Sequence, residues 1–218
     1  MMAFIIHNLK SMQKLLLFPF NGNAIEALDC IDGQYELIGF IDDVKEKQGP
    51  SRYGVPVFDR SALEQFKDAK VLAVPGSPVS YKKRDEHIAS LGISKDRFAT
   101  VVHPRASIGK NVKLGSNCLV MAGVVLTSNA VIGDHVCILP NTVVHHDAVV
   151  SDYTLIGCNV AIAGGTTIGK NCYIGSGTNM MNGITIGDYT LVGLGSNVIK
   201  SIPPDSKIAG NPAKAINK

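Results

Sequence analysis

The sequence predicts a small parallel α/β domain joined to a parallel β-helical solenoid, and three observations predict it. Aliphatic residues or Met recur at every sixth position from Ile108 to Val198. Strand-like and helix-like segments alternate before residue 100. Glycine is abundant, 22 of 218 residues, while tryptophan is absent and aromatics are 6%, a composition suited to tight turns and small-residue packing. With 45% hydrophobic and 18% charged residues, the chain can bury a core without disulfides or a metal, and it lacks the polarity of a disordered protein.

In the first half, Lys14-Leu15-Leu16-Leu17-Phe18 reads as a strand, followed by the turn-rich Pro19-Phe20-Asn21-Gly22-Asn23. Ala24 to Cys30 continues as a helix, and Leu37 to Ile41 forms the next strand, ending in Asp42-Asp43. Gly54-Val55-Pro56-Val57 and a capped helix from Ser61 to Phe66 follow. Lys70 to Val74 is a third strand, then come Gly76-Ser77-Pro78 and a basic helix around Tyr81 to Ser90. Ligands bind such sheets beyond the carboxyl ends of the strands. Asn21, Gly22, Asn23, Asp42, Asp43, Gly76 and Ser77 are therefore the candidate substrate-binding residues. The alternative for Asp42-Asp43 is a polar loop cap. Residues 1–13 read as an extension without fixed structure, with Met12 a candidate start.

The second half is governed by the repeat. Sixteen inward candidates, Ile108, Leu114, Val120 and onward to Val198, fall in register without an insertion. The position after each is Gly in eight hexads, and the third position after it is Asn or Gly in eleven, the residues that best tolerate positive φ. Each hexad is thus a short strand plus a corner. Three corners close an 18-residue triangular coil, and about five coils stack at the ~4.8 Å spacing of paired strands.

Charge and cysteines narrow the function. Residues 1–100 hold 13 basic and 13 acidic side chains, and residues 101–218 hold 8 and 5, so the net +3 sits in the second half. No run of Lys or Arg accompanies it, which excludes a nucleic-acid footprint and leaves room for a small anionic ligand. Cys30, Cys118, Cys137, Cys158 and Cys172 are odd in number without a CxxC, the pattern of reduced thiols in a cytoplasmic protein. No apolar run reaches the ~18 residues of a membrane span, and the start does not resemble a signal peptide.

Acyl transfer from a thioester needs a base for the proton of the incoming amine or hydroxyl, and donors for the developing oxyanion. Val144-His145-His146-Asp147 places two imidazoles and an acid in the solenoid. Val144 is an inward position, so His146 and Asp147 fall at the following corner. Gly164 and Gly165 come 18 residues later, one coil on. That stacking leaves room for a thioester and exposes backbone N–H groups, with Gly164 N–H the oxyanion candidate. His145 faces away from the strand and is the weaker base candidate.

Taken together, Gly39-Phe40-Ile41-Asp42-Asp43, Gly54-Val55-Pro56-Val57, His103-Pro104, the hexads and Gly210-Asn211-Pro212-Ala213-Lys214 resemble the hexapeptide-repeat sugar O- and N-acetyltransferases of the sialic acid and bacillosamine pathways. The resemblance spans Lys14 to Ile216. It implies a Rossmann-like nucleotide-sugar-binding domain over 14–100 and a left-handed β-helix acyltransferase domain over 101–218. It also implies a homotrimer with acetyl-CoA bound between subunits, at Gly164, Gly165, Ser176, Leu194 and Pro212. The family's catalytic histidine and following acid fall on His146 and Asp147. Three positions depart from the family pattern: Pro19 replaces a phosphate-loop glycine, Asn23 replaces a histidine, and Leu155 stands where a second histidine is common.

The expected function is acetyl-CoA-dependent N-acetylation of a nucleotide-linked amino sugar, a 4-amino-4,6-dideoxy sugar for surface glycans, in the cytoplasm and without a metal. The alternatives are O-acetylation of a sugar hydroxyl and a non-catalytic trimeric scaffold. A zinc-holding carbonic anhydrase on the same solenoid is disfavoured by the spacing of His135, His145 and His146.

Overall fold

The computed structural model describes residues 12–216. The expectation for the extension lies outside the described residues up to position 11. Gln13, assigned to that extension, instead opens the first strand, and its side chain donates to Asp68 O at 2.9 Å.

Four parallel strands, β1 (Gln13–Phe18), β2 (Tyr35–Ile41), β3 (Val57–Phe58) and β4 (Lys70–Ala73), form a sheet in the order β3-β2-β1-β4. The unbroken apolar run of β1 follows from its central place, because a parallel sheet is covered on both faces. Leu15 and Leu17 pack with Ala24, Ala27 and Cys30 on one face, and Leu16 and Phe18 with Leu63 and Ile88 on the other. Helices α1 (Gly22–Glu26), α2 (Leu28–Ile31), α3 (Ala62–Gln65) and α4 (Arg84–Ala89) supply those covers. The expected helix from Ala24 thus divides into α1 and α2. The expected Ser61 cap is absent, because Ser61 donates its N–H and hydroxyl to Asp59 Oδ1 (2.8 and 2.5 Å).

From Val101–Val102 to Asn197–Val198, two-residue strands recur every six residues. They build three faces of the coil, in sheets of five, eight and six strands that are parallel throughout except for Lys214–Ala215, which closes the eight-stranded sheet antiparallel. Pairing steps by 18 residues: Val131 pairs Val149, which pairs Thr167. The second residue of each strand points inward, and Val120, Leu126, Ile132, Ile138, Val144 and Ile156 are among those that make the buried column. Ile108 was expected in that column but is 41% exposed. It lies at the open end of the coil, with no turn beneath it. Buried Thr142 and Thr154 satisfy their hydroxyls by donating to Gly157 O and Gly169 O, as burial of a polar group requires. Every corner from Asn111 to Gly195 holds a positive-φ residue at the third position after the inward one. Asn and Gly fill most of these, while His135, Asp147, Tyr153 and Tyr189 are the departures.

The eight-stranded face carries the α/β domain. Outward-pointing Leu119, Cys137 and Leu155 are buried with Ala27, Cys30 and Ile31 of that domain. The adjoining corner, Asn117, His135, Tyr153, Asn171 and Tyr189, supplies the polar contacts. Asn117 accepts from Ala73 N–H and donates to Ala73 O, while buried Arg84 donates to the carbonyls of His135 and Tyr153 (both 2.8 Å). Among the described residues, no helix is long and apolar enough to cross a membrane.

Candidate active site

His146 and Asp147 stand at a different corner, between the six- and five-stranded faces. Asp147 takes φ +58, and its N–H donates to Ser128 O at 3.1 Å, so its backbone is held one coil down. The ring of His146 is exposed, with Nδ1 2.8 Å from Asp147 Oδ2. Hydrogen bonds from His146 and then from Asn129 hold the Asp147 carboxyl below the usual carboxylate range. The carboxylate is therefore ionised and accepts, so Nδ1 is the nitrogen that donates. In the neutral ring that leaves the lone pair on Nε2, which is the tautomer a base requires.

Gly164 lies against that ring. A Cβ built on it would sit 2.5 Å from Nε2 and 2.6 Å from Cε1 of His146. The missing side chain therefore accommodates the imidazole, not the thioester that the sequence reading assigned to the gap. Open space lies instead at Gly165, whose nearest neighbour to an added Cβ is Gly183 Cα at 3.9 Å. Gly165 N–H is spent on His146 O at 2.9 Å, while Gly164 N–H makes no bond to a described residue. His145 is also exposed, with its N–H bound to Ile162 O.

The other cofactor candidates occupy another corner. Ser176 and Leu194 follow the strands Tyr173–Ile174 and Leu191–Val192, one above the other, but the next pairing step is 16 residues, Leu191 to Lys207, so Pro212 does not continue their column as the 18-residue period implies. Ser176 Oγ accepts from Cys158 N–H at 3.0 Å, and Leu194 is 72% exposed. Within one chain, the six-stranded face separates these residues from Gly164 and Gly165.

Asn21, Asp42, Asp43, Gly76 and Ser77 do come together, around a cavity of about 370 Å³ at the carboxyl ends of β1, β2 and β4. Gly22 and Asn23 are not in its lining. Asn21 caps α1 through Ala24 N–H (3.0 Å) and donates to Val74 O (3.1 Å), and Asn23 donates to the same carbonyl. Buried Asp42 accepts from Phe20 N–H, Val44 N–H and Lys47 Nζ at 2.9–3.1 Å. Its carboxylate forms part of the cavity wall. Asp43 is paired to Arg60 through both oxygens, which lowers its pKa. Ser77 Oγ accepts from Val79 and Ser80 N–H groups. Lys47 and His87 also line the cavity. Sequence reasoning missed both, since nothing in their local pattern places them beside the strand ends.

The five cysteines are free, and burial pushes the Cys137 and Cys172 thiols up to about 12 and those of Cys30 and Cys118 to about 11. None is a thiolate nucleophile near neutrality. Among the described residues, no group of His, Cys, Asp and Glu could hold a metal ion.

Residues 111–146 and 147–180 match the bacterial transferase hexapeptide family of six repeats. The match covers 70 of the 218 residues, all within the solenoid. No curated protein matches it by sequence. Among solved structures, it resembles the acetyltransferase domain of PglB from Neisseria gonorrhoeae (26% identity, TM-score 0.81, 94% of this chain and 100% of that one). It also resembles PerB from Caulobacter crescentus, solved with CoA and GDP-perosamine (25%, TM-score 0.82, 94% and 97%). WeeI from Acinetobacter baumannii shares the fold at 24% identity and TM-score 0.78, over 94% of this chain and all of WeeI.

Proposed function

We propose that this protein is an acetyl-CoA-dependent N-acetyltransferase acting on a nucleotide-linked amino sugar. The observation that carries the reading is His146, held through Nδ1 by Asp147 at an exposed corner with Nε2 beside Gly164. The PglB domain has also been solved with acetyl coenzyme A, at 25% identity and TM-score 0.82, and PerB with CoA and GDP-perosamine. Both likenesses support the two ligands.

In this reading, the α/β unit over 14–100 is Rossmann-like, a reading supported by its parallel order β3-β2-β1-β4. Its cavity at the strand ends takes the nucleotide-linked sugar. The β-helix over 101–218 is left-handed, as the family resemblance implies. The acyl donor lies along the solenoid, between copies of a homotrimer. The split of the candidate contacts supports that arrangement: Gly164 and Gly165 would come from one chain, and Ser176, Leu194 and Pro212 from its neighbour. The expected setting is the cytoplasm.

The chemistry is a direct transfer. The amine nitrogen attacks the thioester carbonyl while His146 Nε2 takes the amine proton. Asp147 accepts from Nδ1–H and stabilises the imidazolium that forms. Gly164 N–H donates to the developing oxyanion. The C–S bond breaks, and CoA leaves as thiolate, which takes its proton from the imidazolium. No acyl-enzyme forms.

CoA release from acetyl-CoA, measured against a panel of UDP-, GDP- and dTDP-linked amino sugars, tests the reading. Turnover confined to amino sugars supports it. Turnover of sugar hydroxyls alone would replace N- by O-acetylation, and no turnover by an intact trimer would leave only a scaffold. A monomer by light scattering at micromolar concentration would overturn the shared site.

A further inference from the structure

The corner that carries His146 also carries a ladder of side chains running away from it. Asn111, Asn129 and Asp147 occupy equivalent positions in three successive coils, each 18 residues apart and each in the left-handed region (φ 59, 64 and 58). Asn129 Nδ2 donates to Asp147 Oδ1 at 2.9 Å, and Asn111 Nδ2 donates to Asn129 Oδ1 at 3.2 Å. The order of donors is fixed by the top of the ladder. An ionised carboxylate only accepts, so Asn129 must turn its NH₂ towards Asp147 and its oxygen towards Asn111.

We infer that Asn129 is a positioning residue for the transfer reaction, acting on His146 through Asp147. Asp147 has two oxygens with separate tasks: Oδ2 receives His146 Nδ1–H, and Oδ1 is held by Asn129. The carboxylate is 57% exposed, so without the amide only the bond to the exposed His146 ring would restrain its side-chain torsions. The left-handed backbone fixes where the carboxylate starts, and Asn129 fixes which way it faces. An asparagine also keeps the carboxylate ionised, because its N–H stabilises the charged form. At Asn141 and Asn159 the same positive-φ corner forms without a side-chain hydrogen bond to a described residue, so the turn itself does not require this contact.

This inference rests on His146 serving as the base, and the experiment separates the two. Asn129→Gly suits the left-handed backbone while deleting the donor. It is expected to lower kcat about three- to tenfold, the scale of a hydrogen bond to a charged group at a partly exposed site, with KM for both substrates unchanged. Asn129→Asp keeps the size but turns the donor into a like charge, and is expected to lose more activity than Asn129→Gly at neutral pH. Asn111→Gly, one step further away, should cost about twofold or less. Asn141→Gly, at another corner, should leave kcat alone.

The decisive measurement is a double-mutant cycle. Once Asp147→Gly has removed the carboxylate, Asn129→Gly should have no further effect. A penalty that persists in that background would show a merely structural role. Wild-type kcat in Asn129→Gly beside an inactive His146→Ala would overturn the inference and spare the base. An active His146→Ala would overturn the base assignment and, with it, the role of Asn129.

Discussion

Two corners of the solenoid use the same backbone turn for opposite ends. At Asn111, Asn129, Asp147, Gly165 and Gly183 the turn faces water, and its side chains bond along the stack to hold an exposed imidazole. At Asn117, His135, Tyr153, Asn171 and Tyr189 it faces the α/β domain, and its side chains and carbonyls are consumed by docking. Arg84 binds two of those carbonyls, Tyr81 binds that of Tyr189, and Asn171 reaches Lys82 O and Asp85. The repeat supplies a rigid scaffold at every corner. What each corner does depends on what it faces.

The comparison breaks first at His146. Its replacement by Ala should lower kcat by about 10²–10⁴-fold, the usual contribution of general base catalysis. KM should stay near the wild-type value, because the lost interaction is made in the transition state. Stability should hardly move, since the ring is exposed and touches no part of the aliphatic column. Steady-state kinetics with calorimetry checks both halves. His145→Ala in parallel should cost far less, and equal losses would overturn the assignment of a single base.

The docking corner should behave in the reverse way. Arg84→Met leaves the His135 and Tyr153 carbonyls without partners in a buried site, at a cost of about 2–4 kcal/mol in unfolding free energy. Burial already lowers the Arg84 pKa to about 10, and its Nη1 has no partner among the described residues. Part of the native charge is thus poorly compensated, which keeps the expected cost below that of breaking a complete ion pair. Activity per folded molecule should persist. Denaturant unfolding beside kcat measures this, and a loss of kcat without a loss of stability would contradict the division between corners.

Gly164→Ala sharpens the catalytic side. The added methyl meets the far end of an exposed ring, so the imidazole moves and the fold barely notices, at under about 1 kcal/mol. The displaced base should cost about ten- to a hundredfold in kcat, because misplacement by about an ångström is enough. Unchanged kcat would mean that His146 acts from another rotamer.

The sequence made the solenoid legible because the inward position repeats without insertion, and any aliphatic serves there. It also placed His146 against Gly164, since an 18-residue circuit leaves no freedom in what stacks on what. The docking corner was harder to read. Asn117 and Asn171 look like any other turn asparagine, and only contact with Ala73, Lys82 and Asp85 gives them a second task. A signal was present nonetheless: His135, Tyr153 and Tyr189 occupy positive-φ positions that Asn or Gly fills more easily, and bulky residues there need a compensating contact. Asp42 and Asp43 do line the cavity, as adjacent carboxylates after a strand suggest, but their partners were not legible: Asp42 accepts from Phe20, Val44 and Lys47, and Asp43 from Arg60.

His135 offers the finest test of the difference between the corners. Its ring stacks on Tyr153 at 4.7 Å and meets Phe98 edge-on. Asn117 Oδ1 accepts from Ala73 N–H and its Nδ2 donates to Ala73 O, so the same NH₂ faces His135 Nδ1 at 3.0 Å as a donor. Nδ1 must therefore accept, and protonating it would set a donor against a donor. Burial lowers the His135 pKa; nearby Asp134 and Asp152 pull it up, and Arg84 and Lys95 push it down. The unfolded chain takes up this proton near pH ~6.5, and the folded chain does so only at lower pH. Below that value the unfolded state binds more protons, so stability from the neutral ring is complete above ~6.5 and is lost as pH falls towards the folded pKa. His135→Asn keeps a residue suited to φ +61 and removes the titration. It should melt below the wild type at pH 7.5, with the gap narrowing steadily towards pH 5. A gap that stays constant with pH would mean that folding leaves the His135 pKa unchanged, and a gap that widens towards pH 5 would mean that the folded ring holds its proton, so that the hydrogen bond from Asn117 would have to be reassigned.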